Sequence, residues 1–280
     1  MCIFILPLLV SNVILLSHTP SNTKYSSAPY KIINEIYTED ALKGKKIVLD
    51  AGHGGKGVGA VSKTNLKEKD LNIILTTKVA ALLESMGAEI IFTRNPGIDV
   101  NLPLEDRINI ANNSCADLFI SVHHDFNTDT TANGVSIYYS SYRPSIDREG
   151  ISVIYNYRVC DYIMETNKNV FFHYNGKVVC QPFSKANLNC VDKTPCIQAQ
   201  NSIRLAKILA NAVSSTEFHN RGCKDWSYRV TRYTTMPSVL IECGFLSNKD
   251  DLIKVTNPSM QDGIAKAIAE GINYYFNGNL

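Results

Sequence analysis

The chain reads as an α/β protein, a mostly parallel sheet flanked by helices in one domain that carries a cysteine-bearing insertion. Three observations lead there. Ile47-Val48-Leu49 runs directly into Asp50-Ala51-Gly52-His53-Gly54-Gly55, a short buried strand ending in a tight glycine loop. A stripe of helical period then covers Leu71, Ile74, Leu75, Val79, Leu82, Leu83 and Met86, stopped by Gly87. The strand Glu89–Thr93 completes a strand–helix–strand unit, which implies a parallel pair.

The 280 residues suffice for one large domain with a sizeable core. An apolar fraction of 45% and a charged fraction of 19% are ordinary for a globular chain and argue against disorder. A net charge of +2 gives no reason to invoke nucleic acid. Residues 1–18 read as a signal peptide or an uncleaved anchor: Ile3–Leu16 is apolar apart from Ser11 and Asn12, and short for a bilayer span. Residues 19–44 read as a linker. The expected location is outside the cytoplasm, periplasmic or extracellular, with a membrane involved only if the N-terminal segment stays uncleaved. Eight cysteines fit that location, and Cys160, Cys180, Cys190 and Cys196 crowd one segment without zinc-ribbon spacing. Disulfides are therefore expected, with buried thiols as the alternative.

After the His53 loop, Glu68-Lys69-Asp70 opens the first helix, where carboxylates suit the helix dipole. A helix over Leu104–Asn112 leads to the strand Leu118–Val122, which ends on His123-His124-Asp125. Side chains alternate along a strand, so only one of the two histidines can share a site with His53. Gly134–Tyr139 reads as another strand. The insertion, residues 146–201, is expected to hold a helix around Ile154–Met164 and a hairpin turning at Asn175-Gly176. Ser202–Val213 returns to a helical pattern, Tyr228–Thr234 reads as a short strand, and Ser238–Ile241 is a buried strand that ends on Glu242. Pro258 suits the first position of a closing amphipathic helix to Phe276.

His53, His123 and Glu242 thus follow three core strands, and Glu68 opens the helix after the first. Two imidazoles and a carboxylate are a common protein set for a catalytic zinc. Amide hydrolysis also needs a base that takes a proton from water and hands it to the leaving amine. A second carboxylate would serve. The parts suffice for zinc-assisted hydrolysis, although no HExxH-type motif is present. Cys243 beside Glu242 would need a partnered base to act as a nucleophile. His173 and His219 read as surface or substrate-side groups.

Four stretches together resemble the zinc-dependent N-acetylmuramoyl-L-alanine amidases, the family that includes the cell-division amidases. They are Val48-Leu49-Asp50-Ala51-Gly52-His53-Gly54-Gly55, Lys67-Glu68-Lys69-Asp70-Leu71-Asn72, Phe119-Ile120-Ser121-Val122-His123, and Val239-Leu240-Ile241-Glu242-Cys243-Gly244-Phe245. Arg107-Ile108-Asn109-Ile110-Ala111-Asn112, Gly134–Tyr139 and Asn220-Arg221-Gly222 match more weakly. The resemblance implies a mostly parallel twisted sheet over residues 45–280, zinc on His53, Glu68 and His123, and Glu242 as the catalytic glutamate. The zinc site so implied speaks against a nucleophilic role for Cys243. It implies cleavage of the amide between N-acetylmuramic acid and L-alanine in peptidoglycan. Relatives carry a small residue and Asn where His124 and Asp125 stand, which bears on the groups behind the ligands. In the cell-division branch a segment placed like 146–201 contains a helix that covers the zinc until an activator protein displaces it; the insertion here is expected either to gate or narrow the site or to be a disulfide-stapled surface elaboration. A catalytically silent peptidoglycan-binding protein and a zinc carboxypeptidase of the stem peptide are the alternatives. The latter would need a carboxylate-binding arginine in the pocket.

Overall fold

Ile47 and Leu49 face one way from the first strand and Val48 the other, and all three are wholly buried, so this strand has helices on both sides. In a computed structural model, residues 40–185 and 187–278 are described. The first strand is β1 (Lys46–Ala51), followed by α1 (Glu68–Ser85), β2 (Glu89–Phe92), α2 (Leu104–Asn113), β3 (Leu118–Asp125) and β4 (Val135–Tyr139). The insertion supplies β5 (Ile151–Tyr155), β6 (Arg158–Glu165), β7 (Asn169–Tyr174), β8 (Lys177–Pro182) and β9 (Leu188–Asp192). The chain then returns through α3 (Ile197–Val213), β10 (Asn220–Asp225), α4 (Arg229–Arg232), β11 (Ser238–Phe245), α5 (Lys249–Thr256) and α6 (Pro258–Asn277).

The main sheet has the order β10-β4-β11-β3-β1-β2. Every neighbouring pair is parallel except β11 with β4. One face packs Leu49, Ile120, Val122, Val239 and Ile241 against α1, α3 and α6. The other packs Val48, Phe119 and Leu240 against Ile108 and Ala111 of α2 and Val230 of α4. Burial from both sides explains why these strands are runs of apolar residues rather than alternating ones. Asn257 caps α6 by accepting from the amides of Ser259 and Met260, and Pro258 occupies the first turn, where its missing N–H is no loss. Asn248 caps α5 the same way through Asp250 and Asp251.

The insertion differs from expectation. Ile154–Met164 is a β-hairpin rather than a helix, turning at Asn156 and Tyr157 with φ of 47° and 63°. Its inward residues, Val153, Tyr155, Cys160 and Tyr162, recur at every second position, which is strand periodicity. The Asn175-Gly176 hairpin forms as expected, with φ of 50° and 73°, the geometry of a type I′ turn. The result is an antiparallel sheet, β8-β7-β6-β5-β9, with its own small core around Phe172 and Tyr142. Helix α3 starts at Ile197, inside the expected insertion, and Arg229–Arg232 is a helical turn where a strand was expected.

The expected disulfides do not form: all seven cysteines of the described residues are free. Cys160 and Cys190 pair with the same residue, Val153, from opposite sides. They are thus two strand spacings apart, about 9.5 Å, beyond the reach of about 7 Å that a disulfide tolerates. Apolar packing holds the second sheet instead. The signal-peptide expectation lies outside the described residues, and among the described residues no helix is long and apolar enough to cross a membrane.

Candidate metal centre and cleft

Strand parity decides which side chains meet. In β3, Phe119, Ser121 and His123 share the face covered by α2 and α4, whereas His124 turns toward α1. In β11, Leu240 and Glu242 share that same face and Cys243 enters the core on the other. Glu242 lies directly opposite His123 in the β11–β3 register. His53 reaches the same edge from the loop after β1, and Glu68 from the first turn of α1.

His53 Nε2 lies 3.1 Å from Glu68 Oε2, and His123 Nδ1 lies 2.9 Å from Glu68 Oε1. One ligand atom from each residue falls within 4.8 Å of the others, the arrangement a single metal ion requires. The donor chemistry, two nitrogens and a carboxylate oxygen, suits zinc. Glu68 is nearly buried, yet it stays ionised. Burial by itself would raise its pKa, but hydrogen bonds from His123 and His53 outweigh that and hold it far below the usual carboxylate range. Its oxygens also accept from the Ala60 amide at 2.8 Å and from Asn72 Nδ2 at 3.2 Å.

Glycine makes room for this cluster. A methyl group on Gly52 would come within 2.2 Å of the His123 ring, and one on Gly59 within 2.4 Å of Glu68 Oε2. His53 itself sits at φ 62°, a strained conformation for a residue with a side chain. The strain is held by Arg107, which donates to the His53 carbonyl at 2.6 Å and the Ala51 carbonyl at 2.8 Å. Arg107 is in turn paired with the buried Asp50 at 2.6 Å, which also accepts from Thr93 and Ser121. Sequence reasoning did not single out Asp50 or Arg107 for a role, because that role appears only once α2 is folded back on β1.

His124 is a supporting group. Asn72 donates through Nδ2 to Gly52 O and Glu68 Oε1, so its Oδ1 faces His124 Nδ1 at 2.7 Å. Burial pulls the His124 pKa down to about 4, so the ring is neutral at neutral pH. Glu242 is different. Its Oε2 is shielded from solvent and has no hydrogen-bond partner. Burial, then the carboxylates of Asp125 and Glu68, raise its pKa well above the ordinary value. A buried, unpartnered carboxyl with a raised pKa beside a ligand cluster marks a proton-transfer group.

The cluster opens into a cleft of about 470 Å³. Asn101–Leu104 and Arg107 form one wall, Tyr228, Arg229 and Val230 the other, with His53, His123 and Glu242 between them. Among the described residues none of the insertion lines it, so the second sheet does not cover the site in this structure. The insertion meets the Tyr228–Val230 wall at Asn167, whose carbonyl accepts from Arg229 Nη1 at 2.8 Å. His173 and His219 are exposed and away from the cleft.

A mostly parallel α/β sheet with a candidate metal site at its edge fits a hydrolase, and comparison with known proteins makes the class specific. The family model for N-acetylmuramoyl-L-alanine amidase matches residues 47–274, and the chain belongs to that family. It is an enzyme that hydrolyses amide bonds in peptidoglycan. The amidase AmiA of Escherichia coli is 28% identical over 235 residues, which is 83% of this chain and 77% of AmiA. YqiI of Bacillus subtilis, an uncharacterised protein, is 30% identical over 238 residues, 85% of this chain and 87% of its own. The CwlD amidase of Clostridioides difficile, solved in complex with the GerS lipoprotein, superposes with a TM-score of 0.60 at 26% identity. The superposition covers 84% of this chain and 100% of CwlD.

Proposed function

We propose that this chain cleaves the amide joining the lactyl group of N-acetylmuramic acid to L-alanine, using zinc on His53, Glu68 and His123 and proton transfer by Glu242. The observation that carries this reading is the convergence of three ligand atoms at one strand edge with an unpartnered Glu242 Oε2 opposite His123. Bound zinc supplies a Lewis acid that polarises the amide carbonyl and brings the pKa of a water to about 7.

The chain's own groups do the rest. Glu242 Oε2 accepts the proton of the attacking water and then delivers it to the alanine nitrogen as the C–N bond breaks. Its raised pKa suits both halves of that task, because a strongly acidic carboxylate would be a poor base near neutrality. Glu68 stays anionic because the imidazoles oppose its protonation. Arg107 and Asp50 hold the His53 loop in its strained shape, so little ordering remains to be done when metal binds. A silent binding protein would need none of these groups aligned.

The site belongs outside the cytoplasm, where peptidoglycan lies, with residues 1–18 as signal peptide or anchor. Partner control is assigned to the insertion. Its turn at Asn167 holds a cleft-wall arginine, and the CwlD amidase is known in complex with a lipoprotein. An activator gripping the second sheet would act on that wall rather than uncover the metal. Mass analysis of digested peptidoglycan tests the reaction. Intact stem peptides bearing a free L-alanine amine are expected, whereas shortened stems still joined to muramic acid would reveal a carboxypeptidase.

A further inference from the structure

Arg229 is the one cleft-lining arginine whose hydrogen-bonding fork is not committed to the protein's interior. Arg107, the other, spends its guanidinium on Asp50 and on backbone carbonyls. Arg229 is fixed from behind: Nη1 donates to Asn167 O of the insertion, and the guanidinium lies 4.7 Å from the centre of the Tyr233 ring. Its remaining edge, Nε and Nη2, points to Glu105 in the first turn of α2. Both nitrogens share the single oxygen Oε1 of Glu105, whereas a carboxylate docked squarely on the fork offers one oxygen to each. The Glu105 side chain is 57% exposed and that of Arg229 only 18%. A half-exposed ion pair of this kind contributes little, so Glu105 is readily displaced.

The position of the fork gives the ligand. Tyr228 and Val230, on either side of Arg229, pack with Leu240, which lies two residues before Glu242 on β11. Arg229 and Glu242 line the same cleft of about 470 Å³, so a carboxylate on the fork and an amide at Glu242 belong to one short stretch of peptide.

We propose that Arg229 is a specificity residue that reads a free carboxylate on the residue following the scissile alanine, with Glu105 as its placeholder and Asn167 of the insertion as its anchor. This rests on the amidase reading above. In peptidoglycan that following residue is a glutamate whose α-carboxyl is either free or amidated, and the fork distinguishes the two. A neutral amide offers one acceptor and no charge. The second sheet then has a purpose without covering the metal: it sets the direction of Arg229.

The test uses zinc-loaded Glu242→Gln protein, which keeps its ligands intact, and two probes: N-acetylmuramoyl-L-alanyl-D-glutamate and the same compound with the α-carboxyl amidated. Calorimetry is expected to give about tenfold tighter binding of the free acid, from loss of one charge-assisted contact in the amide. Adding Arg229→Gln is expected to bring the ratio to about one, and Arg229→Lys, which keeps the charge without the fork, to give an intermediate ratio. Adding Glu105→Gln instead is expected to tighten the acid while leaving the amidated probe unchanged. Equal binding of the two probes, or a preference that survives Arg229→Gln, overturns the proposal. Turnover of both probes by the wild-type enzyme is the separate check on the amidase reading. If neither is hydrolysed while the preference for the acid holds, the amidase reading is what fails; hydrolysis of both with no preference overturns this proposal alone.

Discussion

Gly52 has a structural duty that no other residue can perform, because a Cβ there would overlap the His123 ring at 2.2 Å. Gly52→Ala should therefore push His123 out of line with Glu68 and weaken zinc binding by about 10- to 100-fold, the range found when a ligand's support is disturbed. Competition with a fluorescent chelator checks this, and unchanged affinity would mean that the ring has room to move. Glu242 makes a second prediction at this scale. Its carboxyl is held well above the ordinary value of 4.5, so the folded chain keeps a proton that the unfolded chain releases. Stability is then fullest below pH 4.5 and declines as pH rises toward the folded pKa. In metal-free protein, Glu242→Gln should lose less Tm than wild type between pH 4.5 and 8. Parallel slopes in calorimetric scans would contradict the raised pKa.

At the scale of elements, the two sheets rest on different cores. The main sheet is packed by α1, α3 and α6, while the second depends on a small cluster in which Phe172 is wholly buried. Phe172→Ala removes roughly 3–5 kcal/mol of packing, a large share of what so small a cluster holds. Amides of β5–β9 should then exchange with solvent far faster, with β1, β3 and β11 nearly unchanged. A uniform rise would show that the sheets unfold together. The same division explains what could be read from residues alone. β1, β3 and β11 were legible because strands buried on both faces leave continuous apolar runs, and α1 because its stripe has helical period. The hairpin over Ile151–Glu165 was misread because Ile154, Tyr155, Val159 and Ile163 fit a helical spacing nearly as well as an alternating one. Short α5, with apolar residues only at Leu252, Ile253 and Val255, left almost no signal.

At the scale of the molecule, the cluster of His53, His123 and Glu242 was legible because each follows an apolar strand core, whereas Glu68, in the first turn of α1, was picked out only by the family resemblance. The walls of the cleft were not. Tyr228 and Arg229 belong to a helical turn too short for any periodicity, and they face Asn101–Leu104 across more than a hundred residues of sequence. Nothing local in either segment announces the other; only the order of strands in the sheet brings them together. The same order makes the metal site an edge feature of a large core, so metal removal should abolish hydrolysis without unfolding the sheet. In the proposed mechanism Glu242 moves protons while His53, Glu68 and His123 hold zinc. The most direct test is zinc content measured beside turnover in wild type and Glu242→Gln. One zinc per chain is expected in both, with turnover of peptidoglycan reduced about 10²- to 10⁴-fold in the variant. Loss of zinc from Glu242→Gln, or turnover near the wild-type rate with zinc in place, would contradict it.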